Sequence, residues 1–561
     1  MRLSLIALTT LALASAADAD PLADRDAAGR LYRAEQWNEA AEAYGRLAAA
    51  NPEFGAYFYF WGVSLAHSGR CAEAAPVLDR AVALGAAAGR PSLRRAQVEL
   101  AGCAAERGDA AGAVAHLRTA YVRFGFEDFA SLAEDARFAS LANNAAFRDL
   151  ADLNAAAPNR VAGWRSDLDR YVALVEARHP NPYHNVDAGA WRAAIAALHD
   201  DIPRLSDAEA AVGFMRLATM IGDGHTNIIP PLEGEGAFHL LPIWPYAFGN
   251  DWYIAAAAPE HRELVGARIL SINGAPIAAI DAELRTMIAH DNDMTPRWVG
   301  AVGLQFAEFA AIAAHGAASE AVTMEIETAA GARSQVSLLP GPIDRNPTAP
   351  WCPRGWPSIA DAAPSPPWLA HTSDAFYLAQ ADRNGIVYAQ VNRIGDAEDE
   401  TFAAFSARLG EALRQRRVRT LVLDLRHNNG GNGALNWTLV RELVRAEHIN
   451  HERGLYVVVG RRTFSAAMNL ASMIETHTNA IFVGEPTGSR PNFYGEDTPF
   501  RLAYSGLTGS ISSAWFQGGE TSDDLRPWIA PDLPAPLTLD DLRGGRDPAM
   551  AAIAAHLAEQ R

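Results

Sequence analysis

The sequence predicts a multidomain α + α/β protein: an N-terminal array of helical repeats, a helical segment, a small β segment and a C-terminal α/β domain. Three observations carry that prediction. Residues 25 to about 125 are alanine-rich, with apolar residues at helical spacing, and the pattern repeats. Beyond residue 371, short apolar runs alternate with amphipathic stretches, as when strands cross over through helices into a mostly parallel sheet. One of those runs, Tyr456-Val457-Val458-Val459-Gly460, breaks at a glycine and is followed by Ser465 where a helix over Ala466 to Ile474 begins. A helix start aims free N–H groups and the positive end of its dipole at an oxyanion formed beside it, which makes Ser465 a candidate nucleophile.

Residues 1–19 read as a signal peptide. Met1-Arg2 is a positive start, Leu3 to Ala14 is apolar but too short to span a bilayer, and small residues follow at Ala14-Ser15-Ala16 and Ala17-Asp18-Ala19. Export to a periplasm or the exterior is the expectation. In residues 20–155 an offset of 34 aligns Glu35-Gln36-Trp37-Asn38-Glu39-Ala40 with Gly69-Arg70-Cys71-Ala72-Glu73-Ala74, and a looser copy starts at Gly108. That is the tetratricopeptide period, whose concave surface suits a protein partner and whose plain alternative is a packing appendage. Phe129, Phe138, Leu141, Phe147 and Leu150 suggest helices that cap the array. Residues 160–230 are helical again; Ser206-Asp207-Ala208-Glu209 is a capping box opening a helix that ends at Gly222-Asp223-Gly224-His225-Thr226. Residues 235–340 read as a small β subdomain in which Leu264 to Ile277 holds a strand closed by an Asn273-Gly274 turn. That stretch resembles half of a PDZ domain. Nine of the 32 prolines fall between Pro340 and Pro367, so residues 341–370 read as an extended linker. In residues 371–550 the expected elements are a helix at Phe402 to Leu413, a strand at Leu421-Val422-Leu423, a helix from Leu435 to Val444 and a strand at Leu455 to Val459.

Composition excludes several functions. Net charge is −18 without an arginine run, which argues against nucleic-acid or anionic-membrane surfaces, and no second stretch is long enough to span a membrane. No His-Glu-x-x-His and no zinc-spaced cysteine pairs occur, so neither metal nor cofactor is expected. Three cysteines are few for an exported chain; Cys71 and Cys103 could pair, and Cys352 reads as a lone thiol. All 48 basic residues are arginine. A Ser-Lys dyad is therefore unavailable, arginine cannot serve as base, and the base for Ser465 must be sought among the histidines. A serine at a helix start is ordinarily a cap, and a lone histidine ordinarily a satisfied core or surface residue.

Four motifs taken together change that weighting. Gly222-Asp223-Gly224-His225-Thr226, Leu423-Asp424-Leu425-Arg426-His427-Asn428-Asn429-Gly430-Gly431, Thr463-Phe464-Ser465-Ala466-Ala467 and Gly484-Glu485-Pro486-Thr487-Gly488 occur in the order seen in tail-specific (C-terminal processing) serine peptidases. The resemblance covers about residues 160 to 550 and implies a crotonase-like ββα core. It implies Ser465 as nucleophile, with Gly430 or Gly431 and the N–H of Ala466 as oxyanion hole. Dyad members carry lysine about two dozen residues after the serine, where this chain has Arg490. It resembles instead the tricorn-core branch, whose base is the histidine of the Asp-x-His-Thr motif, here His225. The same branch implies an orienting acid near Pro531-Asp532; Asp524 is the choice, with Glu496 in reserve and Asp523 as a solvated acid. The reading is an exported serine endopeptidase acting on peptides or unfolded proteins. The alternatives are a non-catalytic peptide- or lipophile-binding protein on the same core, or a repeat protein for which the core is a scaffold.

Overall fold

The computed structural model describes residues 21–559 except 86–89, 127, 152–158, 234–235, 316–320 and 342–354. The signal-peptide reading and Cys352 fall outside these residues. The chain divides into two compact units, Met1–Ala155 and Ala156–Arg561.

The first unit is helical. Pro21–Arg33, Trp37–Ala50, Gly55–His67, Cys71–Ala83, Arg90–Glu106 and Ala110–Phe124 follow one another, each packed on the next. The repeat has a backbone cause: Glu35, Gly69 and Gly108 hold positive φ angles of 56°, 76° and 77° in the turns before the second, fourth and sixth helices. Small residues let those helices approach closely, and a Cβ at Gly62 would come within 2.6 Å of Leu78. A disulfide joins Cys71 to Cys103 across two neighbouring helices. Phe129, Phe138, Leu141, Phe147 and Leu150 are all buried in the helical turns that follow.

The second unit opens with three helices, Arg160–Arg178, Ala188–Asp201 and Asp207–Ile221. The third begins with the capping box, Ser206 and Glu209 each bonded to the other's backbone, and stops at Gly222 in the left-handed conformation. Its core is a six-stranded sheet in the order Leu533–Pro534, Ile481–Gly484, Leu455–Val459, Thr420–Asp424, Ile386–Val391, Phe376–Leu378. All neighbours are parallel except the last pair. The central strands are buried along their whole length, as expected of a parallel sheet covered on both faces. Phe402–Leu413, Asn436–Arg445 and Ala466–His477 contribute to its main hydrophobic core.

A second sheet runs Ile243–Phe248, Asp251–Ala257, Arg268–Ile272, Val322–Glu327, Arg333–Leu338. The Asn273-Gly274 turn follows its third strand, both residues at positive φ. The sequence reading did not anticipate three helices inserted here, Ile277–Arg285, Met294–Gln305 and Ala307–Ala313. The described part of the proline-rich stretch also departs from a plain linker: Ile359–Ala362 and Pro367–Ala370 are helical turns, and Trp368 is buried and stacked on His427.

Candidate active site

Ser465 sits between strand Leu455–Val459 and helix Ala466–His477, at the carboxyl end of the sheet. Its φ and ψ are 54° and −126°, a conformation that a residue with a Cβ adopts only under strain. The preceding turn is braced by Thr463, whose hydroxyl donates to the Leu425 carbonyl and accepts from the Gly460 N–H. Arg461 adds a bidentate pair with Glu485 and a bond to the Ala247 carbonyl. The serine hydroxyl makes no hydrogen bond among the described residues. It faces a cavity of about 710 Å³ together with His225, Asn429, Gly430 and Gly431.

The Asn428-Asn429-Gly430-Gly431 loop closes against the serine. A Cβ at Gly430 would lie 2.7 Å from the Ser465 Cβ, and one at Gly431 would lie 2.0 Å from the Ile394 carbonyl oxygen, so both positions require glycine. The Gly430 N–H donates to Asn428 Oδ1 at 2.9 Å. Those of Gly431 and Ala466 have no acceptor among the described residues, so of the two glycines raised from the sequence, Gly431 is the one with an available donor.

His225 is brought to this end of the sheet by a long-range pairing. Strand Asn227–Ile229 lies antiparallel to Thr508–Ile511, with Asn227 opposite Ser510. The Ser510 hydroxyl donates to the His225 carbonyl. Asp223 shapes the loop: Oδ1 accepts the N–H groups of His225 and Thr226 and the hydroxyl of Ser512, and Oδ2 accepts from His179 Nε2 at 3.0 Å. Nδ1 of His179 accepts the Asn181 N–H, which leaves Nε2 as the donor. Burial opposes ionisation of Asp223, yet these bonds, that from His179 foremost, hold its carboxyl at about 2. Thr226 Oγ1 accepts the Ser512 N–H, a further tie between this loop and the 508–511 strand's end.

The His225 ring lies between Phe464, centroids 4.5 Å apart, and Phe493, 5.5 Å apart, and both its nitrogens are buried without a hydrogen bond. Gly224 is small for the same reason: a Cβ there would meet the Phe464 ring at 2.8 Å. No hydrogen bond links Ser465 to His225 in this structure. Much of the remaining cavity wall is apolar, including Ile228, Met287, Ile288, Trp298 and Phe306, and Arg393 and Asp497 also line it.

The structure does not bring Asp524 to His225 by any hydrogen bond. Its carboxylate is held by Arg526, which also pairs with Glu475 on the outer part of the Ser465 helix. The Arg526 hydrogen bond lowers its carboxyl despite partial burial. Leu525, beside it, is 81% exposed. Glu496 and Asp523 are exposed. Arg490, at the dyad lysine position, donates through Nε to the Asp291 carbonyl. Sequence reasoning missed Asp291, a buried carboxylate whose Oδ1 accepts the N–H of Gly224, next to the histidine.

No family model and no curated protein matches the sequence. Solved structures align with it. Mature CPAF complexed with lactacystin aligns with a TM-score of 0.50 at 12% identity, covering 71% of this chain and 97% of that one. A photosystem II D1 C-terminal processing protease aligns with a TM-score of 0.34 at 16% identity over 70% and 96% of the two chains, and the tricorn protease with 0.35 at 13% over 71% and 37%. The alignment with CPAF shows a shared fold across most of both chains.

Proposed function

We propose that the protein is a serine endopeptidase, with Ser465 as nucleophile, His225 as base and the N–H groups of Gly431 and Ala466 as oxyanion donors. The observation that carries this reading is the strained serine at a helix start, facing one cavity with a histidine and a glycine loop that no side chain could occupy. In the reaction Ser465 Oγ attacks the peptide carbonyl as its proton passes to His225 Nδ1 or Nε2; the two N–H groups hold the oxyanion; His225 then gives the proton to the leaving amine. The hydrogen bond between Ser465 and His225 has still to form, and catalytic bonds of this kind tighten when substrate fills the cavity. Peptidase names among the structural matches agree with the reading.

Hydrolysis of an unfolded protein substrate tests it. Wild type should cleave, Ser465→Ala should not, and His225→Gln should lose activity by a large factor; equal rates in all three would contradict the assignment. The unmade Ser465–His225 bond favours one second reading, a non-catalytic peptide- or lipophile-binding protein. Peptide binding without turnover in the wild type would select it. We further place the protein outside the cytoplasm, in keeping with the Cys71–Cys103 disulfide, and assign the N-terminal helices, read as tetratricopeptide-like, to binding a protein partner.

A further inference from the structure

In a serine-histidine mechanism the cation formed on histidine needs a nearby negative charge, and the acids named from sequence do not supply it. Asp524 is neutralised by Arg526, and Glu496 and Asp523 lie at the surface. Two buried carboxylates do flank the histidine loop. Asp223 is committed to four donors that fold the loop, one of them His179. Asp291, 4% exposed, comes from the connection between helices Ile277–Arg285 and Met294–Gln305. Its Oδ1 accepts the Gly224 N–H at 2.9 Å and its Oδ2 accepts the Ser489 hydroxyl at 2.7 Å. Neither partner is a cation.

Asp291 is also fixed from the backbone outward. Arg490 Nε donates to its carbonyl, Asn292 Nδ2 donates to the carbonyls of Thr487 and Pro527, and the Thr295 hydroxyl donates to that of Gly488. These bonds staple the 291–295 segment to the loop after strand Ile481–Gly484 and to Pro527, which holds the carboxylate where it meets the Gly224 N–H. We propose that Asp291 is a positioning residue for the reaction: it fixes the histidine loop through Gly224, and its charge favours the imidazolium form of His225 while that residue carries the Ser465 proton. No proton passes to Asp291 in this scheme. Burial pushes its carboxyl up, and the largest opposing influence is His225. The other titratable or charged groups around the histidine are Asp223 with His179 behind it, Arg490 beside Asp291, His290 and Asp293 on Asp291's own segment, and Arg393 and Asp497 in the cavity wall.

The proposal rests on the peptidase reading, and two measurements keep their failures apart. The first is the His225 titration, followed by NMR in Ser465→Ala and in the same chain with Asp291→Asn. The apparent pKa of His225 should fall by about one unit or more when the carboxylate is neutralised. The second is the pH profile of inactivation by a fluorophosphonate, where Asp291→Asn should move the base limb to lower pH and slow the reaction about tenfold at its plateau. Ser489→Ala removes one donor from the carboxylate, raises its pKa, and should shift His225 the same way by less, which preserves the test if Asp291→Asn does not fold. A His225 titration unmoved in the folded variants overturns the proposal, even if activity is lost. A wild-type chain that never reacts with the fluorophosphonate overturns the peptidase reading instead.

Discussion

A serine held at φ 54° and ψ −126° stores about 1–3 kcal/mol of backbone strain, and glycine adopts that conformation without it. Ser465→Gly is therefore expected to be more stable than Ser465→Ala, which keeps the strain, although both lack the nucleophile. Denaturant midpoints of the two variants measure the difference, and an alanine variant as stable as the glycine one would show that position 465 is unstrained. Asp223 illustrates the opposite use of a buried residue. Its carboxyl titrates at about 2 in the fold against 3.8 in the unfolded chain. The linked stability, on the order of 2 kcal/mol, is present above about pH 4 and is lost as pH falls towards 2. The stability gap between wild type and Asp223→Asn should thus be wide at pH 6 and shrink at pH 2.5; a gap independent of pH would show that the aspartate acts by shape alone.

At the scale of elements, the site is a contact between two backbone turns, the one carrying Ser465 and the one carrying Gly430 and Gly431. A methyl at residue 430 would press on the Ser465 Cβ at 2.7 Å, and the glycine's φ of 118° suits no side chain. Gly430→Ala should lower the rate of an ester or short-peptide substrate by at least about tenfold, measured as kcat/KM; an unchanged value would mean that the two turns do not meet during catalysis. Elements whose signals are local were legible in sequence. The capping box at Ser206, the Asn273-Gly274 turn and the apolar runs at residues 421–423 and 455–459 each state their own structure within a few residues. Pairing of Asn227–Ile229 with Thr508–Ile511 was not, because strands of three or four mixed residues show no period and the partners lie far apart in the chain. Asp291 was hidden for the same reason, since Ser489 and Arg490, which bury it, are about 200 positions away. Asp524 was misread because sequence does not tell which cation takes up a carboxylate; Arg526, two residues on, claims it before any histidine could.

For the whole molecule, each of the two units has its own core. A chain beginning at Asn159 is expected to fold and to hydrolyse a short peptide at the wild-type rate; an insoluble or inactive product would place the N-terminal helices within the catalytic unit's core. Reduction of the Cys71–Cys103 bridge, which closes a loop with a sequence separation of 32, should lower the stability of the N-terminal unit by about 4 kcal/mol. The unfolding transition of residues 156–561 should not move. The central claim is that Ser465 is a nucleophile activated by His225, and mass spectrometry of the fluorophosphonate-treated protein tests it most directly. The account predicts one covalent adduct, on the peptide containing Ser465, formed in the wild type and greatly slowed in His225→Gln. An adduct on another serine, or equal labelling of Ser465 in both proteins, would contradict it.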